Sequence, residues 1–270
     1  MSRIIRAYAE TPYGQLHYRW AGEGFPLLLL HQTASCSETY EPVIPYLAPH
    51  YRVLAVDTPG FGMSDGPPHQ YTVADYARCI AAFLDALQVE RASVFGHHTG
   101  AALGCELAAG YPHRVDTLIL YGIPYWAGPA EEVAKRFLSI TLKGDGSHLL
   151  DVWQDIVGRV RGAFPQPYTG NVLDLLHRET LWKLMAGERY KEAYIALVHY
   201  DIMNRLPLIQ APTLLIAGEN DSLVHNVEPA AARIQRVRTC KLPGGTYFLT
   251  REDPEGLARV VLDFLAAPGV

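Results

Sequence analysis

The chain has 270 residues, 49% of them hydrophobic and 19% charged, with a formal net charge of -5. This is the composition of an ordinary globular protein, long enough for one large core or for a core plus an insertion, and it excludes a disordered chain. No basic stretch offers a surface to nucleic acid or to an anionic membrane, and no apolar run is long enough to span a bilayer.

The N-terminal stretch MSRIIRAYAETPYGQLHYRW lacks the sustained apolar segment of a signal peptide. Cys36, Cys79, Cys105 and Cys240 are scattered, with neither C-x-x-C spacing nor a disulfide framework, so a reduced, cytoplasmic protein is expected. Residues 4–8 and 16–20 flank the turn-like Thr11-Pro12-Tyr13-Gly14 and predict an antiparallel hairpin at a sheet edge. Residues 27–30 and 53–56 are continuous apolar runs, as parallel strands buried on both faces require, with a short helix over 40–47 between them. Thr72, with Asp75 three residues on, predicts a capped helix start. Behind it Val73, Tyr76, Ala77, Ile80, Phe83, Leu84 and Leu87 recur at helical spacing and form one buried stripe. This alternation through residue 122 predicts an α/β chain with a doubly wound, mostly parallel sheet.

Residues 91–100, RASVFGHHTG, carry the most informative turn. An apolar run at 92–95 reads as a buried strand, Gly96-His97-His98-Thr99-Gly100 follows at once, and a small-residue, helix-favouring run lies behind it. Glycines at both ends of a five-residue strand-to-helix turn allow a sharp bend and a close approach of neighbouring elements, which lifts the middle residue onto a strained corner at the helix N-terminus. In an elbow of the form G-x-S-x-G that residue is a nucleophile. Here it is His98, with His97 directed inward as a structural residue.

After residue 122 the rhythm changes. Residues 124–208 hold no strand-like run, only helix-like segments such as 131–142, 149–160 and 189–203, and they divide a core made of residues 1–123 and 209–270. A helical layer over the C-terminal ends of parallel strands encloses a cavity and excludes water. Tyr125, Trp126, Phe137, Trp153, Trp182, Tyr194 and Tyr200 are candidate walls, although packing within the insertion is the commoner role for each. Strands resume at 213–217 and 239–242, and Asp253-Pro254 supplies an N-cap and first helical residue for a last helix whose Leu257, Val260, Val261, Phe264 and Leu265 face inward.

Taken together, these pieces resemble the α/β-hydrolase superfamily, most closely in the layout of epoxide hydrolases, haloalkane dehalogenases and meta-cleavage-product hydrolases. The resemblance rests on LLLLHQ at 27–32, where the family has a strand ending in His-Gly, on VDTPGFGMSD at 56–65, and on the elbow. PTLLIAGEND at 212–221 and PGGTYFLTREDP at 243–254 complete it, so that it covers nearly the whole chain. It implies an α/β-hydrolase fold with an inserted helical cap at 124–208. It also implies a triad acid at Asp221, a triad-histidine position occupied by Tyr247, and oxyanion donors at the backbone N–H groups of Thr99 and Thr33. The loop carrying Asp57 and Asp65 is largely structural in that family.

A Ser-His-Asp triad needs a hydroxyl nucleophile, an imidazole base and a carboxylate that fixes the tautomer of the base. This chain keeps only the carboxylate, which excludes a serine mechanism and an aspartyl nucleophile at the elbow. An imidazole reaches further than a serine hydroxymethyl, so His98 can extend into the space of the missing histidine and approach Asp221. Such a dyad suits general-base work, with the helix N-terminus favouring neutral imidazole and Asp221 favouring the imidazolium formed during reaction. Direct attack by His98, giving a labile acyl-imidazole, is a less economical route. Gln32 would add a side-chain amide near the oxyanion hole, and Tyr247 is a proton donor, an orienting group or a buried structural tyrosine.

The expectation is a cofactor-independent hydrolase, with no metal and no cofactor, monomeric or homodimeric, that acts on an ester, lactone or C–C bond of a small molecule with an apolar part. Catalytic candidates are His98, Asp221 and Tyr247; oxyanion and substrate-binding candidates are Thr33, Thr99, Gln32, Tyr125 and Trp126. The alternatives are a lyase or isomerase on the same scaffold and a non-catalytic binding protein. A metal site at His31, His97 and His98 is disfavoured, because adjacent residues on a sharp turn point apart. Cys36 is a minor rival nucleophile.

Overall fold

A computed structural model describes residues 3–137, 139–161, 164 and 168–269. Its sheet has eight strands: β1 (Ile5–Thr11), β2 (Gly14–Ala21), β3 (Pro26–Leu30), β4 (Arg52–Val56), β5 (Ala92–His97), β6 (Val115–Tyr121), β7 (Thr213–Gly218) and β8 (Val237–Leu242). Their spatial order is β1-β2-β4-β3-β5-β6-β7-β8. The first two make the antiparallel edge hairpin, with Ile5 opposite Trp20 and Thr11 opposite Gly14, and β2 meets β4 antiparallel. Every pairing from β4 to β8 is parallel.

Successive strand residues serve opposite faces, as the pleat dictates. Leu28, Leu30, Leu54 and Val94 pack beneath α2 (Val73–Ala86) and α3 (Thr99–Gly110), which follow the short α1 (Ile44–Leu47). Leu27, Leu29, Ala55 and Phe95 pack on the other face with Ile44 and Leu47 of α1. The stretch 40–47 is not one helix: a 3-10 turn ends at Tyr40 and α1 begins at Ile44. Pro45 is tolerated in the first turn of a helix but not in its interior, where its missing N–H and its ring would break the ladder.

At the start of α2 the Thr72 hydroxyl accepts from Asp75 N at 3.2 Å while Asp75 Oδ2 accepts from Thr72 N at 2.9 Å, a reciprocal cap. Thr72→Ala is expected to cost about 1 kcal/mol, the usual value of such a cap. In a thermal melt of a chain this size, that corresponds to a fall of roughly 2–4 °C.

Between β6 and β7 lie α4 (Ala130–Ala134), α5 (Ser147–Val160), α6 (Gly170–Ala186), α7 (Arg189–Val198) and α8 (Ile202–Arg205). Among the described residues of this interval there is no strand of the sheet, only an isolated bridge between Arg161 and Phe164. The helix expected over 131–142 stops at Ala134; Leu142 is 80% exposed, so no packing holds that end in a helix. The one expected over 189–203 breaks after Val198, and Asp201 caps a new turn by accepting from Asn204 N. The chain closes with α9 (Val227–Ala231), α10 (Leu249–Glu252) and α11 (Pro254–Ala266), the last capped by the Asp253 carboxylate accepting from Gly256 N at 2.9 Å. Among the described residues no helix is long and apolar enough to cross a membrane.

Candidate active site

Between β5 and α3 the chain turns through His98 at φ 49° and ψ -106°, a conformation that side-chain-bearing residues seldom adopt. The turn is held on both sides: His98 N donates to Tyr121 O at 2.8 Å, and His98 O accepts from Ala101 N at 2.8 Å. Gly100 lets α3 press against β3, since a Cβ there would lie 2.0 Å from Leu30 O. His97 points into the core and stacks on Tyr121, with ring centroids 4.3 Å apart. Burial, together with the neighbouring His98, holds its basicity well below the usual imidazole range, so it is a neutral packing residue.

His98 points the other way. Its Nε2 lies 2.8 Å from Asp221 Oδ2, at the C-terminal end of β7. Asp221 is 2% exposed, and its second oxygen accepts from Leu223 N at 2.9 Å. Burial alone would raise this carboxyl, but the imidazole and the two hydrogen bonds outweigh it and hold Asp221 below the ordinary 3.8. With Nε2–H given to Asp221, the nitrogen left to take a proton is Nδ1, which has no hydrogen-bond partner among the described residues. The space for the ring is made by Gly122, at φ 68°, where a Cβ would sit 2.3 Å from His98 Cδ2.

Tyr247 stands beside this pair, its ring 5.6 Å from that of His98 and packed on Phe248. Burial pushes its phenol well above the ordinary 10. The loop beneath it is fixed by Thr246, whose hydroxyl donates to Glu252 at 2.6 Å and whose carbonyl accepts from the Tyr121 hydroxyl. Across the elbow, Thr33 N donates to Thr99 Oγ1 at 3.2 Å, and the two threonine hydroxyls are 2.8 Å apart. One of the two expected oxyanion donors is thus engaged by the side chain of the residue bearing the other.

These groups open onto a cavity of about 290 Å³ between the strand ends and the helices that lie between β6 and β7. Gln32, Thr33, His98, Thr99, Trp126 and Tyr247 line it, and Asp221 lies behind His98. Tyr125 does not: it is 39% exposed and lines a separate outer cleft, because the chain after Pro124 turns it away from the enclosed side. Of the other aromatic candidates, Phe137 and Tyr194 stack 3.7 Å apart in the cavity wall, whereas Trp153, Trp182 and Tyr200 are not part of it. Trp182 instead points its indole N–H at Glu38, and Tyr200 donates to Glu106. Cys36 is buried, and desolvation drives its thiol far above the range of a nucleophile.

Sequence reasoning missed the polar wall of the cavity, formed by Arg159 of α5 and Glu179 and Lys183 of α6. Asp155 accepts from Arg159 Nε at 2.9 Å and pairs with the Lys183 ammonium, which also lies 3.9 Å above the Tyr190 ring. Burial and the nearby Arg159 lower Lys183 to about 8. Glu179 is 6% exposed; desolvation pushes it up to about 7, against the opposing pull of Arg251 and Arg159. Because the fold favours its neutral form, stability is full below the ordinary 4.5 and declines as pH rises toward about 7. Glu179→Gln removes that loss, on the order of 3 kcal/mol. The variant should therefore melt higher than the wild type above about pH 7 and no higher near pH 4, a comparison that paired thermal melts across pH provide.

A mostly parallel sheet, a strained strand-to-helix elbow and an acid at the end of β7 define the α/β-hydrolase architecture. The profile of the α/β hydrolase fold family matches residues 26–246, and the chain belongs to that family. It is similar to the 2-(acetamidomethylene)succinate hydrolase of Mesorhizobium japonicum, with 25% identity over 272 residues covering 93% of this chain and 92% of the relative. Among solved structures it resembles a hydrolase from Pseudomonas aeruginosa, with TM-score 0.80 and 27% identity over 97% of this chain and 98% of that one. The fold is shared as well with the enol-lactonase of Burkholderia xenovorans, at TM-score 0.81 and 24% identity, covering 96% of this chain and 100% of that one.

Proposed function

We propose that the protein is a cofactor-independent hydrolase of small carbonyl compounds, an ester, a lactone or a C–C bond flanked by carbonyls, in which His98 is the general base. The observation that carries this is the 2.8 Å contact between His98 Nε2 and Asp221: one imidazole spans the elbow and the acid, with no separate nucleophile between them. His98 Nδ1 takes a proton from water as the water oxygen adds to the carbonyl, and Asp221 stabilises the imidazolium that results. The Thr99 and Thr33 N–H groups receive the oxyanion, Thr33 after the Thr99 hydroxyl has moved aside. The aromatic wall of Trp126, Phe137 and Tyr194 suits a substrate with an apolar part, and the cavity volume suits a small one. Hydrolysis is also the activity named for the succinate-derivative relative.

The occupied Thr33 N–H favours one second reading, a ligand-binding protein whose oxyanion hole stays closed. Acid release from a panel of aliphatic lactones, alkyl esters and vinylogous 1,3-diketones separates the two. The hydrolase reading expects saturable turnover that falls at least ~100-fold in Asp221→Asn, which leaves the imidazole without its counter-charge. Binding of panel members with no turnover of any would instead establish the binding protein.

A further inference from the structure

Glu179 is a carboxyl group buried in the wall of the cavity that also holds His98, and among the described residues it makes no ion pair. The two cations beside it are committed elsewhere: Arg159 to Asp155 and the Tyr190 hydroxyl, Lys183 to Asp155. The third nearby cation, Arg251 on α10, donates through a terminal nitrogen to Glu38 O, and its Nε is buried with no hydrogen-bond partner among the described residues. Tyr194 from α7 and Tyr247 also face this region, and neither carries charge at neutral pH, because burial raises both phenols. Among the described residues the one hydrogen-bond partner of Glu179 is the Gln32 amide, 3.4 Å away, whose own oxygen is buried without a partner. A carboxyl with so little to compensate its charge is more stable as the neutral acid. Burial does bring its titration to about 7, within reach of proton transfer under ordinary conditions. Tyr247, another proton-bearing group beside His98, is the weaker acid, its phenol raised by burial.

We propose that Glu179 is the proton donor of the site, delivering a proton to the departing group from the cap side while His98 works as the base from the elbow. The proposal rests on the reading of His98 given above and deepens it to a substrate class. In the first step a water O–H bond breaks, its proton goes to His98 Nδ1 and its oxygen bonds to the carbonyl carbon. In the second, the bond from that carbon to the departing alkoxide or enolate breaks, and the departing atom takes the Glu179 proton. Transfer from imidazolium to the Glu179 carboxylate through water restores both groups, so the net reaction consumes only water. An acid so placed is wasted on a leaving group that departs readily as an anion. It is required for one that does not, and the substrates are therefore alkyl esters, aliphatic lactones or ketonic C–C bonds rather than activated aryl esters.

The test compares two esters with one acyl chain, ethyl butyrate and p-nitrophenyl butyrate, on wild type, Glu179→Gln and His98→Ala. Glu179→Gln is expected to hydrolyse p-nitrophenyl butyrate within a few fold of wild type and ethyl butyrate ~100-fold or more slowly, the range of a lost general acid. His98→Ala is expected to lose both. A Glu179→Gln variant slowed equally on both esters, or on neither, overturns the acid assignment and leaves His98 untouched, whereas full activity of His98→Ala overturns the underlying reading. A readout that needs no substrate accompanies it: infrared difference spectra of protein with ¹³C-labelled glutamate near pH 6 should contain a protonated carboxyl band that Glu179→Gln lacks. Absence of that band overturns the proposal whichever ester is turned over.

Discussion

His98→Ala is expected to lower turnover of whichever lactone or ester the panel selects by ~100- to 10,000-fold, the range of a general base removed from its site, with ligand affinity kept within a few fold. His98 is the group at the cavity floor that combines a proton-accepting nitrogen with a link to a buried carboxylate, and the residues that line the aromatic wall are untouched by its removal. Truncation also leaves Asp221, at 2% exposure, without its partner, so a thermal melt must accompany the kinetics. Titration of a slowly turned-over ligand gives the affinity and steady-state rates give the loss. Wild-type turnover in this variant would refute the assignment. Replacement by serine is expected to fare no better than alanine, because no imidazole then faces the new hydroxyl and the Tyr247 phenol, raised by burial, cannot accept its proton.

Gly122→Ala is expected to cost nearly as much without altering any reacting group. The new methyl carbon would lie 2.3 Å from His98 Cδ2 and 2.4 Å from Nε2, contacts that atoms do not sustain, so the imidazole must swing off Asp221. A displacement of about 1 Å in an oriented base costs roughly 100-fold, and the positive φ of 68° adds backbone strain for any residue with a Cβ. Turnover should fall on that scale while ligand affinity changes little. A variant with full activity would mean that the ring does not work from the position beside Asp221.

The sequence made the sheet legible because its physics is local: the buried runs at 27–30, 53–56 and 214–217 have no polar residue to suggest anything but central strands, and the glycine-bounded turn at 96–100 marks the elbow unaided. Reach and side-chain length likewise brought His98 and Asp221 together in advance of coordinates. The polar wall of the cavity was illegible for a physical reason. On α6 the buried face carries Glu179, Thr180 and Lys183 among Leu175, Leu176 and Trp182, so the apolar stripe that reveals a helix is interrupted by the residues that matter most. One signal was present: Asp155 and Arg159 stand four apart on one helix, while the pairing of Lys183 with Asp155 is visible only in the folded structure. Tyr125 shows the opposite limit, since adjacent aromatic residues 125 and 126 look alike in sequence and only the path of the backbone decides which of them reaches the cavity.

Whether His98 acts as a base and never as a nucleophile is decided by rapid-quench mass spectrometry during turnover of an aliphatic lactone. A nucleophilic His98 must pass through an acyl-imidazole, which appears as protein heavier by the mass of the opened lactone, with the added mass on the elbow peptide. Unmodified protein is expected at every quench time while product accumulates; an acyl adduct on His98 that forms and decays at the rate of turnover would overturn the general-base role.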